Sequence, residues 1–144
     1  MNAVELVSQV SLFRGLNERH LAHLAKSMKV EHFEPGQVII AQGEVGQALY
    51  VVVSGSVEVR RERPGGTPVV LDTLGAGHFV GEMALLDDAP RSATVIAREP
   101  TECLTLWKWH FLVELEGHPE IAVEMLPEVS YRLRRALQQL EAQA

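Results

Sequence analysis

The placement of the glycines constrains the fold of this chain more than any other feature. Nine of the eleven glycines lie between Gly36 and Gly81, where they separate short runs rich in β-branched and aromatic residues. Glycine reaches the backbone conformations that tight turns need, and runs of that composition fit the pleated surface of a sheet. Many short strands at near-even spacing predict a closed roll or sandwich.

Helical patterns flank this strand-rich segment. Before it, apolar residues recur at helical spacing, and a helical pattern is predicted from Val4 as far as Phe33, with Asn17 as the cap of its main helix. After it, a helix is predicted from Trp109 to a break at Pro127. Proline removes a backbone donor from a helix but suits the first turn of the next one, so a second helix is expected to follow.

The order of these patterns predicts one α+β domain over residues 1–144. Its core is an antiparallel, jelly-roll-like β-roll of about eight strands, according to the spacing of the strand-like runs. The domain divides into N-terminal helices at 1–34, the β-roll at 35–108 and a C-terminal helical pair at 109–144.

Net charge and cysteine content narrow the class of function. The formal net charge is −6, which argues against general nucleic-acid binding because attraction to phosphates needs a basic surface. No apolar run approaches the ~18–20 residues of a membrane span. Cys103 is the only cysteine, so we expect no disulfide, a reducing cytoplasmic compartment and an inert thiol in the core.

The stretch from Gly81 to Val95, GEMALLDDAPRSATV, carries the chemistry of an anion site. A short helix after Gly81 would offer unpaired N–H groups, and the glycine lets an anion approach the backbone. Arg91 presents a planar fork of donors that suits phosphate, and Ser92 adds a hydroxyl. Glu82 would repel a phosphate but can accept a hydrogen bond from a sugar hydroxyl. One arginine without a lysine indicates a singly charged phosphodiester, so the stretch predicts a nucleotide or sugar-phosphate pocket.

This stretch and its flanks resemble a known family. Residues 77–95, GHFVGEMALLDDAPRSATV, are similar to the phosphate-binding cassette of cyclic nucleotide-binding domains, whose pattern runs approximately G-x-x-F-G-E-[apolar]-A-L and then P-R-x-A-T. The upstream run FEPGQVIIAQGEVGQALYVVVSGSVEV resembles the family's early strands, and SLFRGLNERHLAHLA resembles its N-terminal helices. The likeness extends over nearly the whole chain and points to sensor domains like those of cAMP receptor proteins and protein kinase regulatory subunits. Residues 77–95 are called the cassette below.

The resemblance implies a role for each matching residue. Glu82 would accept a hydrogen bond from the ribose 2′-hydroxyl, and Arg91 would pair with the cyclic phosphate. The phosphate cradle would be completed by the amides near Met83 and Ala84, the Ser92 hydroxyl and the Ala93 amide, while Gly81 permits close approach. The helix from Pro127 would cover the base, where Arg132 and Arg135 are the polar side chains expected to contact it.

These roles imply a non-catalytic regulatory domain that binds a cyclic mononucleotide and signals by moving its last helix about Pro127. The expected ligand is cAMP, with cGMP as the alternative because the Ser92 hydroxyl can also meet the amino group of guanine. Neither a metal, a cofactor, a membrane nor nucleic acid is an expected partner of this chain.

Transcription factors of the family continue for about 60 residues into a helix-turn-helix, the size of a small domain. We therefore expect either a stand-alone regulator or a piece of a longer protein.

An apolar stripe on the last predicted helix leaves two interpretations open. The stripe consists of Val129, Leu133, Ala136 and Leu140. It could pack against the roll, or it could form the seam of a parallel homodimer, as the resemblance suggests for dimeric relatives.

Plainer interpretations stand beside the ligand site. Arg91 could be a surface arginine after a turn, and Glu82 a carboxylate that favours a helix start. The roll could also be an interaction domain that binds no nucleotide. A cupin-like metal enzyme is a third alternative, although His78 is the only imidazole in the run GHFVGE, where metal binding needs a cluster.

Three other pairs of residues are expected to be structural. His20 and His23 have a spacing that allows metal binding but are predicted to form a polar surface pair. Asp87 and Asp88 are predicted to mark a solvated turn. Trp107 and Trp109 are predicted to pack rather than to stack on a base.

Overall fold

Within residues 2–143, which the computed structural model describes, eight antiparallel strands form a roll of two sheets. The strands are β1 (Lys29–Phe33), β2 (Val38–Ile40), β3 (Ala48–Ser54), β4 (Ser56–Arg61), β5 (Val69–Gly75), β6 (Phe79–Val80), β7 (Thr94–Ala97) and β8 (Thr101–Trp107). One sheet has the order β1-β8-β3-β6 and the other the order β2-β7-β4-β5. The α+β roll predicted from the glycine spacing is confirmed.

Four α-helices in the described part of the chain lie before and after the roll. They are α1 (Ala3–Ser8), α2 (Glu18–Ser27), α3 (Lys108–Gly117) and α4 (Glu120–Gln143). The side chain of Asn17 caps α2 as predicted, since it accepts a hydrogen bond of 2.9 Å from the His20 amide. Among residues 2–143, no helix combines the length and the apolar character that a bilayer crossing requires.

Strand β3 is buried on both of its faces. Leu49 and Val51 join the apolar cluster that packs the helices onto one sheet, whereas Tyr50 and Val52 join the cluster between the two sheets. Because alternate residues of a strand point to opposite faces, a strand covered on both sides is a continuous apolar run. Cys103 belongs to the inter-sheet cluster and is 1% exposed, so its prediction as a core residue is confirmed.

The first helical segment ends earlier than predicted. Helix α2 stops at Ser27, and Lys29–Phe33 forms strand β1 instead of helix. Strand β1 pairs with β8 in antiparallel register, with Phe33 opposite Thr101. The backbone groups along β8 need partners, and this pairing outweighs the local helical pattern. The roll therefore begins at Lys29 and not at residue 35.

The predicted helix break at Pro127 is wrong. Helix α4 runs without interruption from Glu120 to Gln143 and contains Pro127. The expected C-terminal helical pair is present, but its members are α3 and α4, which meet near Pro119. Because Pro127 is exposed, water can reach the carbonyl that its missing N–H leaves without a donor.

The apolar stripe of α4 faces solvent and does not pack on the roll. Leu133 and Leu140 are 60% and 63% exposed, and Val129 and Ala136 are exposed as well. The buried residues of α4 are Ile121 and Met125, near its start. The first of the two interpretations of the stripe is therefore wrong.

His20 is a buried residue and not part of a polar surface pair. It is 1% exposed, and its Nδ1 lies 2.6 Å from Glu124 Oε2 while its Nε2 lies 3.3 Å from Glu120 Oε1. Both carboxylates come from α4, so the imidazole joins α2 to the first turns of α4. The prediction that His20 lies on a helix is confirmed. Residue spacing alone, however, does not reveal which face of a helix a neighbouring element covers.

The two tryptophans differ in their surroundings. Trp107 packs against the inter-sheet cluster, which confirms the predicted packing role. Trp109 is 59% exposed, and its ring lies 3.8 Å from that of His110, centroid to centroid. The predicted packing role is therefore wrong for Trp109.

Candidate ligand-binding site

Gly81 sets the backbone at the start of the site. Its φ is +84°, in the left-handed region, and it precedes the 3₁₀ turn Glu82–Leu85. The Ala84 amide donates to the Gly81 carbonyl at 3.2 Å, so the amides of Glu82 and Met83 lie ahead of the first bond of the turn. A Cβ at Gly81 would lie 3.0 Å from the Ala48 carbonyl oxygen and against the Arg91 guanidinium. Both the backbone conformation and the space at this position require glycine.

Arg91 is held half-buried against this turn. Its Nη1 donates to the Gly81 carbonyl at 3.1 Å and its Nη2 donates to the Ala48 carbonyl. Its backbone is fixed as well, because its amide donates to the Glu44 carbonyl at 2.7 Å. Burial lowers the pKa of Arg91, while Tyr50 and Glu82 oppose that shift. An arginine stays charged under these conditions, so the site holds a positioned cation.

Glu82 is joined to helix α4 through Arg132. Nη1 of Arg132 donates to Glu82 Oε1 at 3.2 Å, and Nη2 donates to Ser11 Oγ at 2.6 Å. Nε of the same guanidinium donates to Glu128 Oε1 at 3.5 Å. One side chain therefore connects the cassette, the N-terminal segment and α4.

The predicted site residues surround two adjoining cavities. The first has a volume of about 260 Å³ and is lined by Gly81, Glu82, Met83, Ala84, Asp87, Ala89, Pro90, Arg91 and Ser92. The second has a volume of about 180 Å³ and is lined by Ile40, Val59, Val80, Gly81, Arg91, Ser92, Ala93 and Val95. The structure thus brings all seven predicted cassette residues together. Gly81, Arg91 and Ser92 form the boundary that the two cavities share.

Arg132 and Arg135 do not occupy equivalent places. Arg132 reaches the cassette, but its contact is with Glu82. The guanidinium carbon of Arg135 lies 5.7 Å from the centre of the Tyr131 ring on the same exposed stretch of α4. A contact of either arginine with a base stays a prediction.

Several residues of the site were not found from the sequence. A Cβ at Gly46 would lie 2.5 Å from Arg91 Nε and 2.6 Å from Ala84 Cβ, so this glycine makes room for the arginine. The walls that Ile40 and Val59 give the second cavity come from strands distant from the cassette in the sequence, whereas Val80 directly precedes Gly81. Gly46 had indicated a turn only, and nothing in its local sequence signals the approach of a residue far along the chain.

The acidic pair that follows the 3₁₀ turn has a structural partner. Lys108 Nζ donates to Asp88 Oδ1 at 2.6 Å and to the Asp87 carbonyl at 2.7 Å. This contact ties the middle of the cassette to the start of α3. Neither aspartate nor His78 belongs to a group of three potential metal ligands among residues 2–143.

Comparison with known proteins gives three consistent similarities. The Cyclic AMP receptor protein of Thermus thermophilus is 37% identical over 125 residues, which are 87% of this chain and 58% of that protein. A cAMP-dependent protein kinase regulatory subunit of Mucor circinelloides f. lusitanicus is 37% identical over 105 residues, 73% of this chain and 24% of that protein. The N-terminal domain of a transcriptional regulator from Streptomyces coelicolor A3(2) has a TM-score of 0.86 and 30% identity, with 94% of each chain covered.

The family model described as Cyclic nucleotide-binding domain matches residues 30–118, more than half of the chain. The chain belongs to the cyclic nucleotide-binding domain family, as its cassette indicated. It has the jelly-roll fold of these regulatory domains. It spans 58% of the length of the first two curated relatives.

Proposed function

We propose that this chain is a non-catalytic sensor that binds cAMP in the cassette and transmits the binding through α4. The observation that carries the proposal is that Arg91 and Glu82 line one cavity, with Ser92 beside them. A positioned guanidinium suits a phosphodiester, and a carboxylate suits a sugar hydroxyl. The Thermus and Mucor relatives carry cAMP in their names, which favours the adenine nucleotide.

The phosphate would lie against Arg91 and the 3₁₀ turn. Two of the arginine's five N–H donors are engaged by the carbonyls of Gly81 and Ala48, which leaves donors for a ligand. Those carbonyl contacts also fix the guanidinium before the ligand arrives, so little side-chain freedom is lost on binding. The Met83 amide, the Ser92 hydroxyl and the Ala93 amide would complete the cradle, whereas the predicted donor Ala84 already gives its amide hydrogen to the Gly81 carbonyl.

The base would enter the second cavity. Ile40, Val59, Val80 and Val95 give that cavity apolar walls, which suit the faces of a purine. The cavity shares Gly81, Arg91 and Ser92 with the first one, so a single nucleotide can span both. We keep Ser92 as the residue that could admit cGMP, since its exposed hydroxyl lies on the shared boundary.

Helix α4 would carry the output. Arg132 donates a hydrogen bond to the Glu82 carboxylate that we assign to the ribose. A ribose hydroxyl would compete for the same oxygen, and the ligand-bound state would therefore hold α4 differently from the free state. Such a difference in contacts between two states is what a ligand needs in order to shift their populations.

A second copy of the chain would cover the exposed face of α4. Leu126, Val129, Leu133, Ala136 and Leu140 alternate in steps of three and four residues, the spacing of a coiled-coil seam. All five are exposed in the single chain. We propose a parallel homodimer through this seam, and we propose the cytoplasm as its compartment, where Cys103 stays reduced.

Calorimetric titration of the purified chain with cAMP, cGMP and 5′-AMP tests the proposal. We expect saturable binding of one nucleotide per chain, with cAMP bound most tightly and the open-chain AMP most weakly. Tighter binding of cGMP would change the base assignment. Failure of both cyclic nucleotides to bind would return the chain to the interaction-domain interpretation.

The ribose role of Glu82 is tested in the same titration with the Glu82→Gln variant. Loss of a hydrogen bond to a charged group costs about 1.5–3 kcal/mol, so cAMP affinity should fall about 10- to 150-fold. Affinity for 2′-deoxy-cAMP should stay the same in both proteins, because that ligand lacks the hydroxyl. Glu34→Gln, an exposed residue outside both cavities, serves as the matched control. Equal losses for both ligands would remove the ribose role.

A further inference from the structure

A cluster of metal-binding side chains lies outside the ligand cavities, at the junction of three helices. His23 on α2, Glu114 on α3 and His118, which follows α3, have ligand atoms that all lie within 4.8 Å of one another. His23 Nδ1 is 4.0 Å from Glu114 Oε2, and the rings of His23 and His118 are 4.4 Å apart, centroid to centroid. The fold thus brings His23 close to Glu114 and His118, which lie far from it in the sequence.

Two imidazoles and one carboxylate form a ligand set that suits zinc. Zn²⁺ takes nitrogen ligands at about 2.0–2.1 Å and carboxylate oxygens at about 2.0–2.2 Å, with three protein ligands and a water in many sites. The side chains of His23, Glu114 and His118 are 38%, 22% and 37% exposed. They therefore have room to rotate toward a shared ion, and solvent can supply the fourth position.

Neighbouring residues hold these ligands in place. Ser27 Oγ donates to Glu114 Oε1 at 3.0 Å, which leaves the other carboxylate oxygen, Oε2, on the side of His23. Glu120 Oε1 lies 3.5 Å from His118 Nδ1, where it can accept a hydrogen bond from a protonated Nδ1 and leave Nε2 for the ion. A carboxylate in this position favours a cation.

We propose that His23, Glu114 and His118 form a Zn²⁺ site that fastens α2 to the junction of α3 and α4. The site is separate from the cassette and does not depend on the proposed nucleotide. His118 lies two residues before α4, and His23 lies on α2, whose His20 ring is 6.2 Å from that of His118. Bound zinc would hold the start of the proposed output helix.

Titration of the EDTA-treated, dialysed chain with ZnCl₂ in a calorimeter tests this site. We expect one Zn²⁺ per chain, no comparable binding of Mg²⁺, and a rise in melting temperature on addition of zinc. Changes in groups that only support a ligand cost about 10- to 100-fold in metal affinity, so loss of a ligand in His23→Gln or His118→Gln should cost at least about 100-fold. Glu120→Gln should cost about tenfold by the same comparison.

His32→Gln is the matched control, because His32 is an exposed histidine on β1. It should bind zinc as the unaltered chain does. Circular dichroism of each variant shows whether it has folded. Because there are two independent ligand variants, the test remains decisive if one of them fails to fold. Zinc binding that is absent from the unaltered chain, or equal in the unaltered chain and both histidine variants, would overturn the proposal.

Discussion

Arg132 of α4 donates a hydrogen bond to Glu82 of the cassette, with 3.2 Å between Nη1 and Oε1. Both side chains are only partly exposed, at 26% and 20%. The carboxylate that we assign to the ribose is thus already paired with the proposed output helix. Under the proposed function, ligand binding and the position of α4 would share one oxygen atom, which would be the physical link between site and output.

The Arg132→Ala variant is expected to bind cAMP more tightly than the unaltered chain. The free protein must give up the pair with Glu82 before the ribose can use it, and partly exposed ion pairs contribute about 0.2–1 kcal/mol. Its removal should raise affinity by up to about fivefold, as measured by calorimetry. Arg134→Ala, on an exposed part of α4, should leave affinity unchanged. A weaker affinity for Arg132→Ala would instead support direct contact between Arg132 and the base.

Replacement of Gly46 by alanine should displace Arg91. The added Cβ would lie 2.5 Å from Arg91 Nε and 2.6 Å from Ala84 Cβ, well inside contact distance. Overpacking of this kind costs about 1–3 kcal/mol of stability. We expect at least about a tenfold loss of cAMP affinity, the equivalent of 1.4 kcal/mol. Gly66→Ala, whose Cβ would lie 3.7 Å from its nearest neighbour, is the control and should retain affinity.

The Leu133→Glu variant should be monomeric at concentrations at which we expect the unaltered chain to form the proposed dimer. Leu133 is 60% exposed in the single chain and lies in the middle of the proposed seam. Burial of a leucine contributes about 1.5–3 kcal/mol, and each dimer buries two copies of Leu133. The dissociation constant of the dimer should therefore rise by about 100-fold or more. Sedimentation equilibrium measures the mass of each species. Val70→Glu on β5 is the control at 57% exposure, and a dimer that survives Leu133→Glu would exclude this seam.

The Cys103 thiol should be protected and should make stability dependent on alkaline pH. Burial first, and then the charge of Glu31, raise the pKa of Cys103 from 9.0 to about 12. Below pH 9.0 both folded and unfolded chains keep the proton, so this group does not alter stability there. Between pH 9.0 and about 12 the unfolded chain loses the proton first, and stability falls with rising pH.

Two measurements check the thiol. Reaction with a disulfide reagent at pH 8 should be at least about 100-fold slower in the folded chain than in denaturant, since the thiolate is the reactive form. Between pH 9 and 10, the unaltered chain should lose about 1 kcal/mol more stability than Cys103→Val. Equal pH profiles for the two proteins would contradict the shifted pKa.

The roll and the cassette were predictable because their signals are local. Glycines between apolar runs indicate turns between strands, and the spacing from Gly81 to Arg91 and Ser92 is carried in one short segment. The predictions failed where contacts between elements distant in the sequence determine the local structure. Strand β1 formed because β8 lies beside it, and His20 became buried because Glu120 and Glu124 of α4 cover it.

Other features depend on contacts that no local pattern contains. Proline at position 127 predicts a break, yet α4 continues because its exposed side tolerates the missing donor. The closeness of Gly46 to Arg91 joins residues 45 positions apart, as their numbers show. The pairing of Arg132 with Glu82 likewise spans 50 positions. Such contacts form only once the chain has folded, so the part of the site that depends on them cannot be predicted from a local pattern.

Thermal melting with cAMP, for the unaltered chain and for Arg91→Ala, tests the central claim most directly. A ligand at 100 times its dissociation constant adds about 2.7 kcal/mol, which should raise the melting temperature by about 5–10 °C. Arg91→Ala leaves a buried phosphate charge unpaired at a cost of about 2–5 kcal/mol, so the same cAMP concentration should give about a third of that shift or less. Arg98→Ala, an exposed arginine after β7, should keep the full shift. Absence of a shift in the unaltered chain, or an equal shift in Arg91→Ala, would contradict binding of a cyclic nucleotide in the cassette.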